Sequence, residues 1–256
     1  MCKKILTCVT GVFLMMTGIQ SANAQQPGAP RPLIEIYGCN FVGNNDMNDL
    51  LTVTARWNAW ADRHEQTGYT AIILSPYFFS ADLGYDAVWM GVYPDGATMG
   101  AGQSVWLAEG QDMQAEFDSV ASCDTHQHFV GLVVHEPEGG PPPATGGLIA
   151  FQNCKLHHGR RVPEAMAAST QWSEYLAEMG FEGLSGLLVP VAGETGDADY
   201  NFKRIFGFRD VAAYGKMLDI ITSGGVTRAN ELFENLMDCD SNRIYVSNRV
   251  RAPAAN

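Results

Sequence analysis

Apolar and polar positions alternate and cluster along this chain in a way that divides it into short ordered elements. "PLIEIYGCNFVG" (32–43) is rich in β-branched and aromatic residues, with the period of a strand. "NNDMNDLLTVTARWNAWADRHEQ" (44–66) changes to a helical period. Asn45 or Asp46 can cap that helix, and Met47, Leu50, Leu51, Thr54, Trp57 and Ala61 mark one face of it. "YTAIILSPYFF" and "GYDAVWMGVYPD" predict two further strands. A second helical region follows, and "HQHFVGLVV" (126–134) predicts a closing strand. The same series then returns: a strand in "GLIAFQNCKLHHG", and a helix with Pro163 in its first turn, where a missing N–H costs nothing. Met166, Trp172, Leu176 and Met179 give that helix its apolar face. Strands in "SGLLVPVAG" and "YNFKRIFGFRD" come next, then a second helical region and a last strand in "NRIYVSNRV".

The return has a measurable offset. At 115 residues Cys39 meets Cys154, Trp57 meets Trp172, Tyr85 meets Tyr200, Asp95 meets Asp210 and Gly110 meets Gly225. One further residue of shift aligns "FDSVASCD" with "FENLMDCD", so that Cys123 meets Cys239 and Val134 meets Val250. Ordered matches at nearly constant spacing indicate an internal duplication. The Pro/Gly-rich residues 137–146 read as a linker between repeats at 32–136 and 147–250, with 251–256 as a tail. Each repeat has the order βαββαβ, the ferredoxin-like split βαβ unit.

Two such units, with a middle strand such as "YDAVWMGVYPD" ending in Pro-Asp before a helix, resemble the dimeric α/β-barrel superfamily. That superfamily includes antibiotic-biosynthesis-type monooxygenases and stress-responsive barrel proteins. The resemblance implies an α+β fold in which two antiparallel sheets pair into a barrel, with helices outside. It brings no functional residue with it, because no catalytic motif of a particular member is present.

Composition narrows the function classes. "MCKKILTCVTGVFLMMTGIQSANAQQ" has a basic start, an apolar run and a small-x-small site, so residues 1–24 read as a signal peptide. The protein is therefore expected to be exported, to a periplasm or to the outside. No later segment approaches membrane-spanning length. Removal of Lys3 and Lys4 takes the formal charge from −12 to −14, which argues against nucleic acid or an anionic membrane as partner. Four cysteines remain after cleavage: Cys39, Cys123, Cys154 and Cys239. An even count in an exported chain suggests disulfides, in one of three connectivities.

In the ferredoxin-like order the first and last strands are antiparallel neighbours, so the end of one lies beside the start of the other. This predicts Cys39–Cys123 and Cys154–Cys239. Each would close about 85 residues, for roughly 4 kcal/mol in a chain-entropy account. A thiol catalyst or a zinc site finds no CxxC support.

Period-two counting places Glu35, Tyr37 and Cys39 on one face of the first strand, opposite Ile34 and Ile36. Gln152 shares a face with Cys154, and the last strands add Gln127 and Phe129, then Arg243 and Tyr245. The expectation is that these mixed polar and aromatic faces line the space between the sheets, joined by Trp89 and Arg204 at matching positions. The candidate ligand-binding residues are thus Glu35, Tyr37, Trp89, Gln127, Arg204, Arg243 and Tyr245. Glu35 could act as a base if burial raised its pKa, and an arginine could hold a carboxylate.

His126, His128, His157 and His158 form tempting pairs, but they read as packing or strand-end residues. His128 aligns with Ile244, on the face expected beneath the helices. Trp57 and Trp172 read as sheet-packing core. No metal and no cofactor is expected. The leading functional expectation is a small apolar or aromatic molecule bound between the sheets, in a monomeric tandem barrel or a homodimer. The alternatives are a cofactor-independent monooxygenase or isomerase-like enzyme using the same cavity, and a structural or assembly protein with a filled barrel.

Overall fold

The computed structural model describes residues 30–80, 83–137, 143–194 and 198–253. The expected signal peptide, residues 138–142 of the expected linker and residues 254–256 of the tail lie outside them. The first part of the chain forms β1 (Leu33–Phe41), α1 (Met47–Arg63), β2 (Thr70–Phe78), β3 (Ala87–Tyr93), α2 (Gly96–Glu109), α3 (Gln111–Asp118) and β4 (Ala121–His135). The second forms β5 (Thr145–Leu156), α4 (Val162–Glu178), β6 (Leu184–Ala192), β7 (Phe202–Phe208), α5 (Val211–Ile220), a π-type turn (Ile221–Gly225), α6 (Val226–Phe233), β8 (Met237–Cys239) and β9 (Arg243–Arg251). β5 thus begins inside the stretch expected to be linker.

Local chemistry explains the helix starts. Asp46 caps α1: its carboxylate accepts from the backbone N–H groups of Asn48 (2.7 Å) and Asp49 (3.3 Å). Asp95 and Asp210, which align in the sequence, both cap helices, accepting from the N–H of Thr98 and Ala213 respectively. Pro163 lies in the first turn of α4.

All strand pairings are antiparallel, in the order β7-β6-β4-β1-β3-β2-β9-β5. A β5–β7 pairing closes this ring into an eight-stranded barrel, and β8 extends it beside β5. Two seams, β2–β9 and β4–β6, join strands of residues 33–135 to strands of residues 145–251. The barrel therefore closes within one chain. Both predicted disulfides are present, Cys39–Cys123 and Cys154–Cys239.

The interior is largely apolar. Ile34, Leu74, Val88, Met90, Phe129, Ile149, Phe151, Leu188, Ile205 and Tyr245 form one buried cluster, to which all eight barrel strands contribute. The helices cover the outside. α1, α2 and α3 pack over the outer face of β1–β3 and the start of β4, and α4, α5 and α6 over that of the end of β4 and the remaining strands.

The strand faces correct part of the expectation. Ile34 points inward, whereas Glu35, Tyr37, Cys39 and Trp89 lie on the outer face beneath the helices. Arg204 also lies outside, over the rings of Phe206 and Phe233 at 4.9 and 4.6 Å. Gln127, Arg243 and Tyr245 face inward as expected. On β1 and β4 the two sets are parted by a bulge. Gly38 pairs with Thr125, but Cys39 pairs with Cys123, so Asp124 is an extra residue in β4. Straight alternation from Cys123 assigns Gln127 and Phe129 to the Cys39 face. One extra residue reverses every side chain beyond it.

Candidate functional site

The outer face of β1–β4 and the three helices above it enclose a pocket of about 210 Å³. Trp57 and Trp60 reach it from α1, Trp89 from β3, Trp106 from α2 and Phe117 from α3. Their packing is mutual: Trp57 meets Trp89 edge-on at 5.0 Å, Trp60 meets Trp106 at 5.2 Å, and Trp89 meets Phe117 at 5.7 Å. Trp57 therefore packs on the sheet, as expected, and also lines the pocket.

Glu35 forms the floor. It is 3% exposed, yet its carboxylate is surrounded by donors. The Tyr69 hydroxyl donates to Oε1. Gln103 Nε2 (2.9 Å) and the Tyr37 hydroxyl (3.3 Å) donate to Oε2. Trp89 Nε1 donates in turn to the Tyr69 oxygen at 2.8 Å. Gly91 makes this possible. It pairs with Glu35 across the β1–β3 ladder, and a Cβ there would collide with the Tyr69 hydroxyl and stand 2.7 Å from Glu35 Cγ. A side chain at position 91 would displace the Tyr69–Glu35 contact.

Two histidines flank Glu35. β1 pairs with β4 so that Glu35 faces His128 and Tyr37 faces His126. His126 and His128, two residues apart, therefore share the Glu35 face. His126 Nε2 is 3.3 Å and His128 Nε2 3.7 Å from the same Glu35 oxygen. His126 stacks on Tyr37 at 3.9 Å with 13° between the planes. His128 Nε2 is buried and has no hydrogen-bond partner.

The electrostatics follow from this geometry. Burial pushes the Glu35 carboxyl up, but the pull of His126, His128 and Tyr69 outweighs it and holds the pKa at about 2. Glu35 is an anion at neutral pH. Burial, with the Glu35 charge second, pushes the Tyr37, Tyr69 and Tyr93 hydroxyls well above their usual range, so they remain donors.

A second pocket, of about 240 Å³, lies on the opposite side of the same strands, at the barrel interior. Gln127, Arg243 and Tyr245 line it with Lys203, Asn153, Tyr85 and Ile36. Lys203 Nζ donates to Asn153 Oδ1 at 3.0 Å and stands 4.0 Å from the Tyr200 ring centroid. Burial holds its pKa down at about 8. Arg243 pairs with Asp240 at 2.6 Å.

The seven expected residues thus fall in three places. Glu35, Tyr37 and Trp89 meet in the outer pocket, Gln127, Arg243 and Tyr245 in the inner one, and Arg204 is buried beneath the second set of helices. Sequence reasoning missed Tyr69, Gln103 and the joining of His126 and His128 to Glu35. The alternation of "HQH" held half of that signal. The other half, the β1–β4 register, required the bulge. Nothing near Gln103 marks it.

Solved structures share this architecture. A candidate monooxygenase from Lactobacillus acidophilus superposes with a TM-score of 0.54 at 11% identity, over 86% of this chain and 95% of its own. A candidate chlorite dismutase gives 0.53 at 10% identity, over 87% and 96%. A heme-binding protein from Thermus thermophilus gives 0.51 at 10% identity, over 86% and 91%. At these identities the likeness is one of fold: α+β with ferredoxin-like character. No family model and no curated protein matches the chain.

Proposed function

We propose that this is an exported binding protein, built from two duplicated ferredoxin-like units, that holds a small molecule with an apolar or aromatic body. The site in this reading is the outer pocket rather than the space between the sheets, where apolar side chains share the interior with a more polar pocket. The observation that carries it is the set of four tryptophans around a buried carboxylate. Apolar, aromatic walls with a few placed polar groups are the usual form of a small-molecule site. At about 210 Å³ the pocket suits one or two fused rings rather than a larger ligand.

Charge selects further. Glu35 and the exposed Asp118 are the charged residues of the lining, which contains no lysine or arginine. A cationic or neutral ring is favoured over an anionic one, and tryptophan faces attract cations directly. Heme fits this lining poorly. Its two carboxylates would meet Glu35 and Asp118 with no cation to receive them. The nearest imidazole nitrogens are turned to Glu35. Catalysis with Glu35 as a base is also disfavoured, because a carboxylate held at about 2 is a weak base at neutral pH.

Titration with indole, tryptamine and indole-3-acetate, read by tryptophan fluorescence, tests the proposal. Tryptamine should bind at least as tightly as indole, and indole-3-acetate at least tenfold more weakly. Trp106→Ala should weaken tryptamine binding. Absence of saturable binding by any of the three overturns the reading.

A further inference from the structure

We infer that Glu35, His126 and His128 form a binding site for one divalent first-row transition-metal ion. One ligand atom from each of the three lies within 4.8 Å of the other two. Two imidazoles and a carboxylate are a donor set that such ions take readily, and three protein ligands leave a position open.

The spacing supports this. Ligand atoms about 2.0–2.1 Å from a tetrahedral ion stand roughly 3.3–3.5 Å from one another. Two of the three separations are near that value: the imidazole nitrogens stand 3.3 and 3.7 Å from the Glu35 oxygen. A second observation points the same way. His128 Nε2 is buried, and the Glu35 oxygen it faces at 3.7 Å is beyond hydrogen-bond distance, a gap that an ion between them would close.

The outer groups are also in place. Tyr69 holds the far Glu35 oxygen and is itself held by Trp89, while Gln103 fixes the near oxygen. Stacking on Tyr37 orients the His126 ring. Such partners set ligand orientation and affinity in metal sites. All three ligands stand on paired strands, whose register is rigid. Glu35 and His126 line the outer pocket, so the open position faces it. His126 is exposed and offers an entry path. This site does not depend on the ligand proposed above.

Cobalt(II) is the probe, because its visible absorption reports coordination. The purified protein, dialysed against chelator, should bind one Co²⁺ per chain, and Zn²⁺ should displace it. His128→Asn and Glu35→Gln should each weaken Co²⁺ binding by at least about tenfold. His157→Asn, which alters a histidine paired with exposed Asp238, should leave it unchanged. Far-UV circular dichroism checks each fold, and the His126→Asn/His128→Asn double variant serves if Glu35→Gln unfolds. Failure of the parent to bind Co²⁺, or unchanged binding in the double histidine variant, overturns the site. Trp106→Ala should leave the Co²⁺ spectrum intact while weakening tryptamine, so loss of one activity is distinguishable from loss of the other.

Discussion

The two pockets lie back to back on the same strands and have opposite chemistry. The outer one is aromatic and acidic, with Glu35 saturated by donors. The inner one is more polar and basic, with Lys203 and Arg243 beside Gln127, Asn153 and Tyr245. β1 supplies Glu35, Tyr37 and Cys39 to one and Ile36 to the other. A pleated strand gives its neighbours in sequence to different environments. The contrast shows that a net acidic chain can hold a buried anion and a buried cation on opposite faces of a single sheet. It also shows that the buried anion is stabilised by hydrogen bonds, whereas the buried cation is held at the edge of deprotonation.

Truncation should break this contrast most strongly at Glu35. Glu35→Ala leaves the buried Tyr69 hydroxyl and the Gln103 amide without their acceptor, and should cost roughly 3–5 kcal/mol in urea denaturation. Lys203→Gln should cost much less, because it removes a poorly solvated charge and retains a donor for Asn153.

Acid should give the next largest effect. The folded pKa of Glu35 is depressed from 4.5 to about 2, so its contribution is present above the unfolded value and lost as pH falls through the folded one. The loss is roughly 3 kcal/mol between these limits. Stability measured across that range in the parent and in Glu35→Gln should converge toward acid.

Alkali should reveal the inner pocket with the opposite slope. Lys203 has a folded pKa of about 8 against 10.5 unfolded, so between these values the unfolded chain carries the extra proton. Stability should rise with pH there, by roughly 1–2 kcal/mol once access to water is allowed for, and Lys203→Gln should abolish the rise. Other groups titrate in the same range, so the difference between parent and variant is the quantity to measure.

The smallest effect should come from the roof of the outer pocket. Asp95 caps α2, which supplies Gln103 and Trp106. Asp95→Ala should weaken tryptamine binding a few-fold and leave the Lys203-dependent alkaline slope unchanged. A change in that slope would show that the two pockets are coupled through the sheet.

Much of the scaffold was legible before folding. The offset between Cys39 and Cys154, the cap at Asp46 and both disulfides followed from local pattern plus one topology. The site was legible only in pieces. Glu35, Tyr37 and Trp89 were picked out, but for the wrong side of the sheet. His126 and His128 were on the right side, but were read as packing. The extra residue at Asp124 separates those readings, because hydrophobic alternation cannot register one inserted position where both strand faces carry apolar residues.

By itself, the order of residues determined the element types, the helix starts and which cysteines could meet, because these depend on local period, capping chemistry and chain order. Only the tertiary structure decided that the barrel closes within one chain, that its interior keeps a polar pocket, and that Glu35 meets two histidines beneath tryptophans. Those outcomes depend on strand register and on which sheet face the helices cover, and both are set by long-range packing rather than by neighbours in sequence.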